Sequence, residues 1–223
     1  MTEANGKMTI ALPAGRMLEE AAVALNSVGY DCPYDKASRK LIFTGSRARY
    51  LISRPSDVPV YVARGAADLG IVGKDGLSES GEEVYELMDL GFGACRFVLA
   101  APLEAIDGYK KALEGGGRIA KLKIATKFPA ITKEFAKGRI LRPEIITLKG
   151  AVELASSVGL ADAIVDIVSS GLTLKENGLG IVAEISRSSA RLIASRSSYG
   201  LRSEEIAEFC ALMKSAGIKG ADA

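Results

Sequence analysis

The chain has 223 residues and contains no histidine. Histidine is the commonest general base and metal ligand in proteins, so serine–histidine and cysteine–histidine hydrolases are excluded. The three cysteines are far apart and form no Cys-x-x-Cys pattern, which favours a reducing compartment and argues against structural zinc. The N-terminus lacks the features of a signal peptide, and no stretch approaches the ~18 apolar residues of a membrane span. We therefore expect a soluble cytoplasmic protein that does not bind a membrane.

Charges of the two signs nearly balance. Lysine and arginine number 29 and aspartate and glutamate 27, which gives a net charge of +2 at pH 7. Such a balance provides no electrostatic footprint for nucleic acid, so an anionic ligand must be held by a local arrangement of residues. The apolar content of 48% and the length are typical of one large globular domain or two small ones.

Strand-like and helix-like segments alternate along the chain, and this alternation predicts an α/β fold. Strands are predicted at residues 8–12, 40–43, 49–52, 67–72, 96–101, 123–126, 144–148 and 163–168. Helices are predicted at 16–28 and 152–158, and a last helix begins at Ser203.

One short pattern occurs twice. Residues 65–68, Gly-Ala-Ala-Asp, precede an apolar strand, and residues 159–162, Gly-Leu-Ala-Asp, precede another. Two lobes of similar plan, each with a ligand loop at a strand's carboxyl end, would place a cleft between them. The alternative is that helix–glycine–strand units are simply common in α/β proteins.

The most informative segment runs from Glu153 to Leu174. Its apolar strand, residues 163–168, carries the single acid Asp166 and ends in a small polar turn, residues 169–173. Such a turn supplies N–H and hydroxyl donors for phosphate, and a carboxylate can accept hydrogen bonds from ribose hydroxyls. An ordinary turn, with Asp166 as a satisfied structural cap, is the alternative reading.

Basic residues flank other predicted strands. Arg16 comes after the Pro-Ala-Gly turn of the first strand, Arg39 precedes the second, and Arg54 follows the third. Arginine at such a place can bind phosphate oxygens in a bidentate manner, although each could also be a solvated surface residue. Gly73-Lys74 ends another strand, but its surroundings do not match the Walker phosphate loop.

Together these segments resemble the ATP phosphoribosyltransferase family of histidine biosynthesis. The family signature is matched without a gap by residues at nine positions: Glu153, Gly159, Ala161, Ile164, Asp166, Ser170, Gly171, Thr173 and Leu174. The resemblance covers nearly the whole chain. It implies an α/β, two-lobed fold like that of periplasmic binding proteins, with a cleft between the lobes. We expect one lobe at residues 1–94 plus 184–223 and the other at residues 95–183.

The resemblance also implies the reaction and its residues. Family members join N1 of ATP to C1 of 5-phosphoribosyl 1-diphosphate, with Mg²⁺, and release pyrophosphate. The residues expected to bind phosphoribosyl diphosphate are Glu153, Asp166, Ile167, Val168, Ser169, Ser170, Gly171, Leu172 and Thr173. Those expected to bind ATP are Gly15, Arg16, Arg54, Asp68, Gly73 and Lys74, with a structural role as the alternative for the last three. Arg16 and Arg39 are the expected catalytic residues, and the metal is expected to be held mainly by substrate phosphates.

Two features set this chain apart within the family. Ala14 stands where many relatives have lysine, and the chain resembles the short form without the C-terminal histidine-sensing domain. The resemblance therefore implies a separate regulatory subunit similar to histidyl-tRNA synthetase and a homodimer within a hetero-oligomer. The alternative function is a non-catalytic, two-lobed domain that binds or senses a small ligand.

Overall fold

The computed structural model describes residues 6–168 and 171–218, so Ser169 and Ser170 of the predicted phosphate loop lie outside the described residues. The chain divides into two compact units. Unit 1 comprises residues 1–93 and 189–223, and unit 2 comprises residues 94–188.

Unit 1 contains a six-stranded sheet with helices packed on both faces. Its strands are β1 (Met8–Pro13), β2 (Ile42–Thr44), β3 (Ala48–Ser53), β4 (Leu69–Gly73), β5 (Tyr85–Asp89) and, after the return of the chain, β11 (Ala190–Ala194). Its helices are α1 (Arg16–Ser27), α2 (Val58–Ala63), α3 (Lys74–Ser80), α8 (Arg196–Leu201) and α9 (Ser203–Ser215). The strand order is β2-β3-β1-β4-β11-β5, with β1 parallel to both β3 and β4.

Side chains of β1 alternate between two apolar cores. Ile10 and Leu12 face the core that α1 and α9 cover, whereas Ala11 faces the core beneath α2. In α1 the buried residues Leu18, Ala21 and Leu25 share one face, which gives the helix its apolar side. Burial on both faces fixes the register of the central strands, and with it the edge where their carboxyl ends meet.

Unit 2 has a five-stranded sheet of order β10-β6-β9-β7-β8. Its strands are β6 (Cys95–Pro102), β7 (Leu122–Thr126), β8 (Pro143–Thr147), β9 (Ala163–Val168) and β10 (Leu179–Ser188). Its helices are α4 (Ile106–Glu114), α5 (Pro129–Ala136), α6 (Glu153–Ser157) and α7 (Leu172–Glu176), with a 3-10 turn at Leu103–Ala105. Strand β7 is parallel to β8 and β9, while β6 and β10 run antiparallel to their neighbours.

The neighbours of Asp166 within β9 show which face of the strand carries its side chain. Ile164 and Val168, two residues away on either side, belong to the core beneath α6 and α7. Because alternate side chains of a strand share a face, Asp166 lies on that same face, near the carboxyl end of the strand.

The repeated Gly-x-Ala-Asp pattern has the same structure in both units. Gly65 and Gly159 end α2 and α6 with φ angles of 71° and 70°. Each aspartate then accepts a hydrogen bond from a neighbouring parallel strand: Asp68 from the Thr9 N–H at 2.7 Å, and Asp162 from the Lys123 N–H at 2.8 Å. The same aspartate–backbone hydrogen bond, called the aspartate staple below, therefore joins β4 to β1 and β9 to β7. This similarity favours two lobes of similar plan over two unrelated helix–glycine–strand units.

The chain passes between the units after Gly93 and again before Ser189. Strand β10 continues to Ser188 and pairs with β6 to its end, so a boundary at 183/184 falls inside this strand.

Candidate active site

Asp166 is the acid at the carboxyl end of β9, and it is partly buried. Within residues 6–168 and 171–218, its Oδ1 accepts a hydrogen bond from the Ile167 N–H at 2.8 Å. Partial burial of a carboxylate is costly unless hydrogen bonds or a ligand compensate its charge.

Asp166 lines a small cavity of about 160 Å³. The other lining residues come from α6, from the end of β9 and from the start of α7: Glu153, Ile167, Val168, Gly171, Thr173 and Leu174. The structure thus brings together most of the residues predicted to bind phosphoribosyl diphosphate. Complete ligand sites usually measure ~300–1,000 Å³, so this cavity suits one group of a ligand, such as a phosphate or a pentose edge.

Burial raises the pKa of the Asp166 carboxyl above its ordinary value. The Ile167 N–H and the charge of Lys127 lower this pKa in part, while the negative charge of Glu153 raises it further. Burial is the largest of these influences, so the surroundings of Asp166 disfavour its charged form.

Gly171 turns the chain into α7 with a φ of 78°, a left-handed conformation that strongly favours glycine. The turn places Thr173 at the cavity, whereas Leu172 is 59% exposed and does not line it. The Asn177 side chain donates to the Thr173 carbonyl at 2.8 Å and holds the far end of the short helix.

Lys127 is a further residue at this edge that the sequence did not single out. It follows β7 directly, and β7 pairs with β9 in parallel, with Thr126 opposite Val165. The Thr126 hydroxyl donates to the Val165 carbonyl at 2.8 Å and accepts from the Phe128 N–H at 2.9 Å, so the turn that carries Lys127 is fixed to β9. The rule that ligand groups follow the carboxyl ends of parallel strands could have found it.

In unit 1 the predicted cations follow three adjacent parallel strands. Arg16 comes after β1, Arg54 after β3 and Lys74 after β4, and these strands lie in the order β3-β1-β4. The turns are linked as well, because the Ala14 N–H donates to the Ser53 carbonyl at 2.7 Å. Arg16 and Arg54 are exposed and form no ion pair within residues 6–168 and 171–218, so both are available to an anion.

Two predicted residues lie elsewhere. Asp68 is at the amino end of β4, and this five-residue strand, roughly 16 Å long, lies between it and Lys74. Its carboxylate accepts from the Thr9 N–H and from the Ser198 hydroxyl, at 2.7 and 2.6 Å, which supports the structural alternative for this residue. Arg39 is exposed, in the irregular segment before β2.

The described part of the chain shows neither a metal-ligand cluster nor a membrane-spanning helix. No group of three or more Cys, Asp or Glu side chains there could hold a metal ion. None of its helices is both long and apolar enough to cross a membrane. A larger surface groove of about 590 Å³, bordered by α1 and residues 90–92, contains none of the predicted site residues.

Comparison with known families gives a direct match. Residues 54–215 match the family model described as "HisG: ATP phosphoribosyltransferase". A protein named ATP phosphoribosyltransferase from Moorella thermoacetica is 48% identical over 221 residues, which cover 96% of this chain and 95% of the relative. One of the same name from Rubrobacter xylanophilus is 46% identical, with 89% and 91% covered.

Solved structures agree. A chain of the ATP phosphoribosyl transferase (HisG:HisZ) complex from Thermotoga maritima matches with a TM-score of 0.77 and 32% identity, covering 94% of this chain and 98% of that one. The substrate-binding protein of an amino acid ABC transporter matches with a TM-score of 0.52, 15% identity and coverage of 95% and 97%. The latter likeness shows the fold alone, and it confirms the expected α/β fold of the periplasmic-binding-protein type.

Proposed function

This chain belongs to the ATP phosphoribosyltransferase family, and from that premise we propose how its two sets of residues carry out the reaction. The chain is a transferase that acts in histidine biosynthesis. In the proposed reaction a bond forms between adenine N1 of ATP and C1 of 5-phosphoribosyl 1-diphosphate. The bond from C1 to the diphosphate oxygen breaks, and pyrophosphate leaves with the electron pair.

The alternative of a non-catalytic ligand-binding domain is not favoured. Relatives named for the transferase are 42–48% identical to this chain over about nine-tenths of its length or more. The ligand-binding proteins of similar fold are only 12–15% identical.

The reaction does not require a strong general acid or base. Adenine N1 already has a lone pair, and displacement at the anomeric carbon passes through a state with positive charge on the ribose ring. The protein's tasks are to align two anionic substrates and to stabilise charge on the departing pyrophosphate. Arginine, lysine and backbone N–H groups can perform these tasks without histidine.

Unit 2 binds the phosphoribosyl group in this proposal. The observation that carries it is the Asp166 carboxylate on the wall of a cavity that accommodates one ligand group. Asp166 accepts from the ribose hydroxyls, and the turn at residues 169–173 holds the 5-phosphate through N–H and hydroxyl donors. Glu153 also lines the cavity, and its negative charge raises the pKa of the Asp166 carboxyl.

Unit 1 binds phosphates of ATP and the leaving group. Arg16, Arg54 and Lys74 share one edge of the sheet, and the exposed arginines can each bind phosphate oxygens in a bidentate manner. Gly15 leaves room for a phosphate to approach the backbone at that edge, whereas at Gly73 the Asp75 carboxylate occupies the space that a side chain would fill. Arg39 is proposed to bind the departing pyrophosphate.

Mg²⁺ is proposed to enter the site bound to the substrate phosphates. Magnesium in phosphate sites usually keeps several waters and is held by one or two carboxylates plus substrate phosphates. The described residues contain no cluster of three acidic or thiol ligands, which suits an ion carried by the diphosphate, with Asp166 as the nearby carboxylate. When bound, the ion neutralises charge that develops on the leaving group.

The partners proposed are a HisZ-type regulatory subunit and a second copy of this chain. The support is the Thermotoga maritima match, which is a chain from a HisG:HisZ complex. Histidine feedback would then act through the regulatory subunit. A cytoplasmic location stays a prediction from the sequence.

A direct assay tests the function. The purified chain is incubated with ATP, 5-phosphoribosyl 1-diphosphate and Mg²⁺, with and without a HisZ-type subunit, and the near-ultraviolet absorbance of the adduct is followed. Product in either condition is expected, and no product in both would contradict the proposal.

A glycine pair tests the site. Gly171→Ala and Gly138→Ala each place a side chain at a left-handed position of unit 2, with φ of 78° and 75°. Similar strain of about 1–2 kcal/mol is expected in both. Only Gly171→Ala should lower kcat/KM for phosphoribosyl diphosphate, because only Gly171 lines the cavity.

A further inference from the structure

Lys74 is not a free cation in unit 1. Its Nζ contacts Glu86 Oε2 at 2.5 Å, and its backbone N–H donates to the Ser189 carbonyl at 2.9 Å. Glu86 lies on β5, which is separated from β4 in the sheet by β11. The contact therefore reaches across a whole strand to the residue that follows β4.

Arg191 on the intervening strand holds Glu86 in place. Its Nε lies 3.2 Å from Glu86 Oε1, an ion-pair contact without hydrogen-bond alignment, and its Nη1 contacts Asp89 Oδ2. The Arg191 side chain is only 16% exposed, whereas most ion pairs of this protein lie at the surface. In the strand register Arg191 is paired with Val72 on one side and with Asp89 on the other.

Asp89 completes a connected network with Lys74, Glu86 and Arg191. Both carboxylate oxygens of Asp89 accept from the Ser189 hydroxyl, at 2.8 and 2.9 Å, and the Ser189 carbonyl receives the Lys74 N–H. The backbone and the ammonium group of Lys74 are thus held by one connected set of groups.

We infer that Glu86 and Arg191 are positioning residues that fix the Lys74 ammonium group for a polyphosphate of the nucleotide substrate. This inference rests on the proposed function, because it takes Lys74 as a phosphate-binding residue. Neither residue touches the substrate. Arg191 orients the Glu86 carboxylate, and that carboxylate orients Lys74.

The physical reason is the flexibility of lysine. Its four-carbon stem carries ~2 kcal/mol of rotamer entropy, which binding of a phosphate must overcome. An ammonium group has three donors, so a bond to Glu86 leaves two for phosphate oxygens while it fixes the stem. The network holds two cations, Lys74 and Arg191, and two carboxylates, Glu86 and Asp89, so its formal charges cancel and Lys74 binds phosphate through its two remaining donors.

The test is Glu86→Gln, with steady-state kinetics for ATP and direct titration of Mg-ATP by calorimetry. KM for ATP and the dissociation constant should each rise about 3- to 10-fold, with kcat changed less than about twofold. Removal of a negative charge near an anionic ligand, by itself, would lower both constants. The sign of the change therefore separates positioning from a simple charge effect, and unchanged or lower constants would overturn the inference.

A matched control exists in unit 2. Glu184 also bridges two cations, Arg96 at 3.4 Å and Arg187 at 2.9 Å, and its side chain has the same 35% exposure as Glu86. Glu184→Gln should leave KM for ATP unchanged. Equal rises in both variants would show that the effect is not specific to the contact between Glu86 and Lys74, and would contradict the assignment.

A double-mutant cycle tests the route through Lys74. Lys74→Met alone should raise KM for ATP, and Glu86→Gln added to it should have no further effect, because the group it positions is gone. Additive effects would refute the route. If the wild-type chain makes no phosphoribosyl-ATP, the proposed function fails, whereas a wild-type chain that turns over with no response to Glu86→Gln refutes this inference alone.

Discussion

The substitution Asp166→Asn is expected to stabilise the protein and to impair its activity. The two side chains have nearly the same shape, and the amide oxygen can still accept the Ile167 N–H that Asp166 Oδ1 accepts at 2.8 Å. The change therefore removes a charge and one acceptor oxygen while the packing of the β9 end is preserved.

Stability should rise because the folded state disfavours this charge. Burial raises the pKa of Asp166 above its value in the unfolded chain. For an acid with a raised folded pKa, its contribution to stability is present below the unfolded pKa and is lost as pH rises through the folded pKa. At neutral pH the carboxylate thus costs stability, and the uncharged amide of the variant carries no such cost.

Activity should fall because the carboxylate is proposed to accept from ribose hydroxyls. A hydrogen bond to a charged group contributes ~1.5–3 kcal/mol. At ~1.4 kcal/mol per factor of ten, its loss corresponds to a decrease of roughly 10- to 150-fold in kcat/KM for phosphoribosyl diphosphate. A stabilised but impaired variant is typical of a functional residue that the fold tolerates at a cost.

Urea unfolding at pH 7.5 and pH 4 measures the first effect, and initial rates at varied phosphoribosyl diphosphate measure the second. The gain in unfolding free energy should be larger at pH 7.5 than at pH 4. Asp162→Asn is the control, since it makes the same change at the exposed amino end of the same strand. A variant that is less stable than wild type at pH 7.5, or that retains full kcat/KM, would refute the reasoning.

Three other substitutions test separate parts of the structure. Lys127→Met removes a charge that lowers the pKa of Asp166, so the acidic limb of the kcat/KM profile should move to higher pH; a shift to lower pH would contradict the pairing. Asp68→Ala should lower the unfolding free energy by about 1–3 kcal/mol in urea titrations and leave KM for ATP unchanged, because its contacts are structural. Tyr50→Phe should leave the unfolding free energy unchanged or raise it by up to about 1 kcal/mol, because the buried hydroxyl has no partner among the described residues; a clear loss would reveal one.

The local parts of this fold were predictable. The predicted strand at residues 163–168 is β9, and the predicted helices at Arg16 and Ser203 begin where the structure has them. In each case apolar periodicity, a turn residue and the chain order all indicated the same element, which is when sequence reasoning succeeds. Six of the nine residues predicted to bind phosphoribosyl diphosphate line the cavity, whereas Leu172 is exposed and Ser169 and Ser170 lie outside the described residues.

The strand β10 escaped prediction for a physical reason. Its register with β6 shifts twice, between Ile181 and Ala183 and between Glu184 and Ser186. Each bulge inserts a residue and moves the following side chains to the other face, so the alternation that marks a strand is interrupted. The domain boundary predicted at 183/184 falls between these two irregularities.

Contacts that depend on strand order could not be predicted from the sequence either. Nothing in the order of residues brings Lys74, Glu86 and Arg191 together, because Arg191 lies more than 100 positions away along the chain. They meet only because β11 returns from unit 2 and enters the sheet between β4 and β5. The sequence therefore indicated Lys74 as a candidate ATP-binding residue but not its contact with Glu86.

The internal repeat distinguishes residues that maintain the fold from residues proposed to act on the substrate. Asp68 and Asp162 make the same staple, and matching the two units through it sets Asp166 opposite Val72 and Lys127 opposite Pro13. The aspartates of the staple are common to both units and bind backbone. Asp166 and Lys127 have no counterpart in unit 1; Asp166 lines the cavity, and the charge of Lys127 lowers the pKa of Asp166. Positions shared by the two units are thus explained by folding, and positions where the units differ are those where substrate chemistry has to be sought.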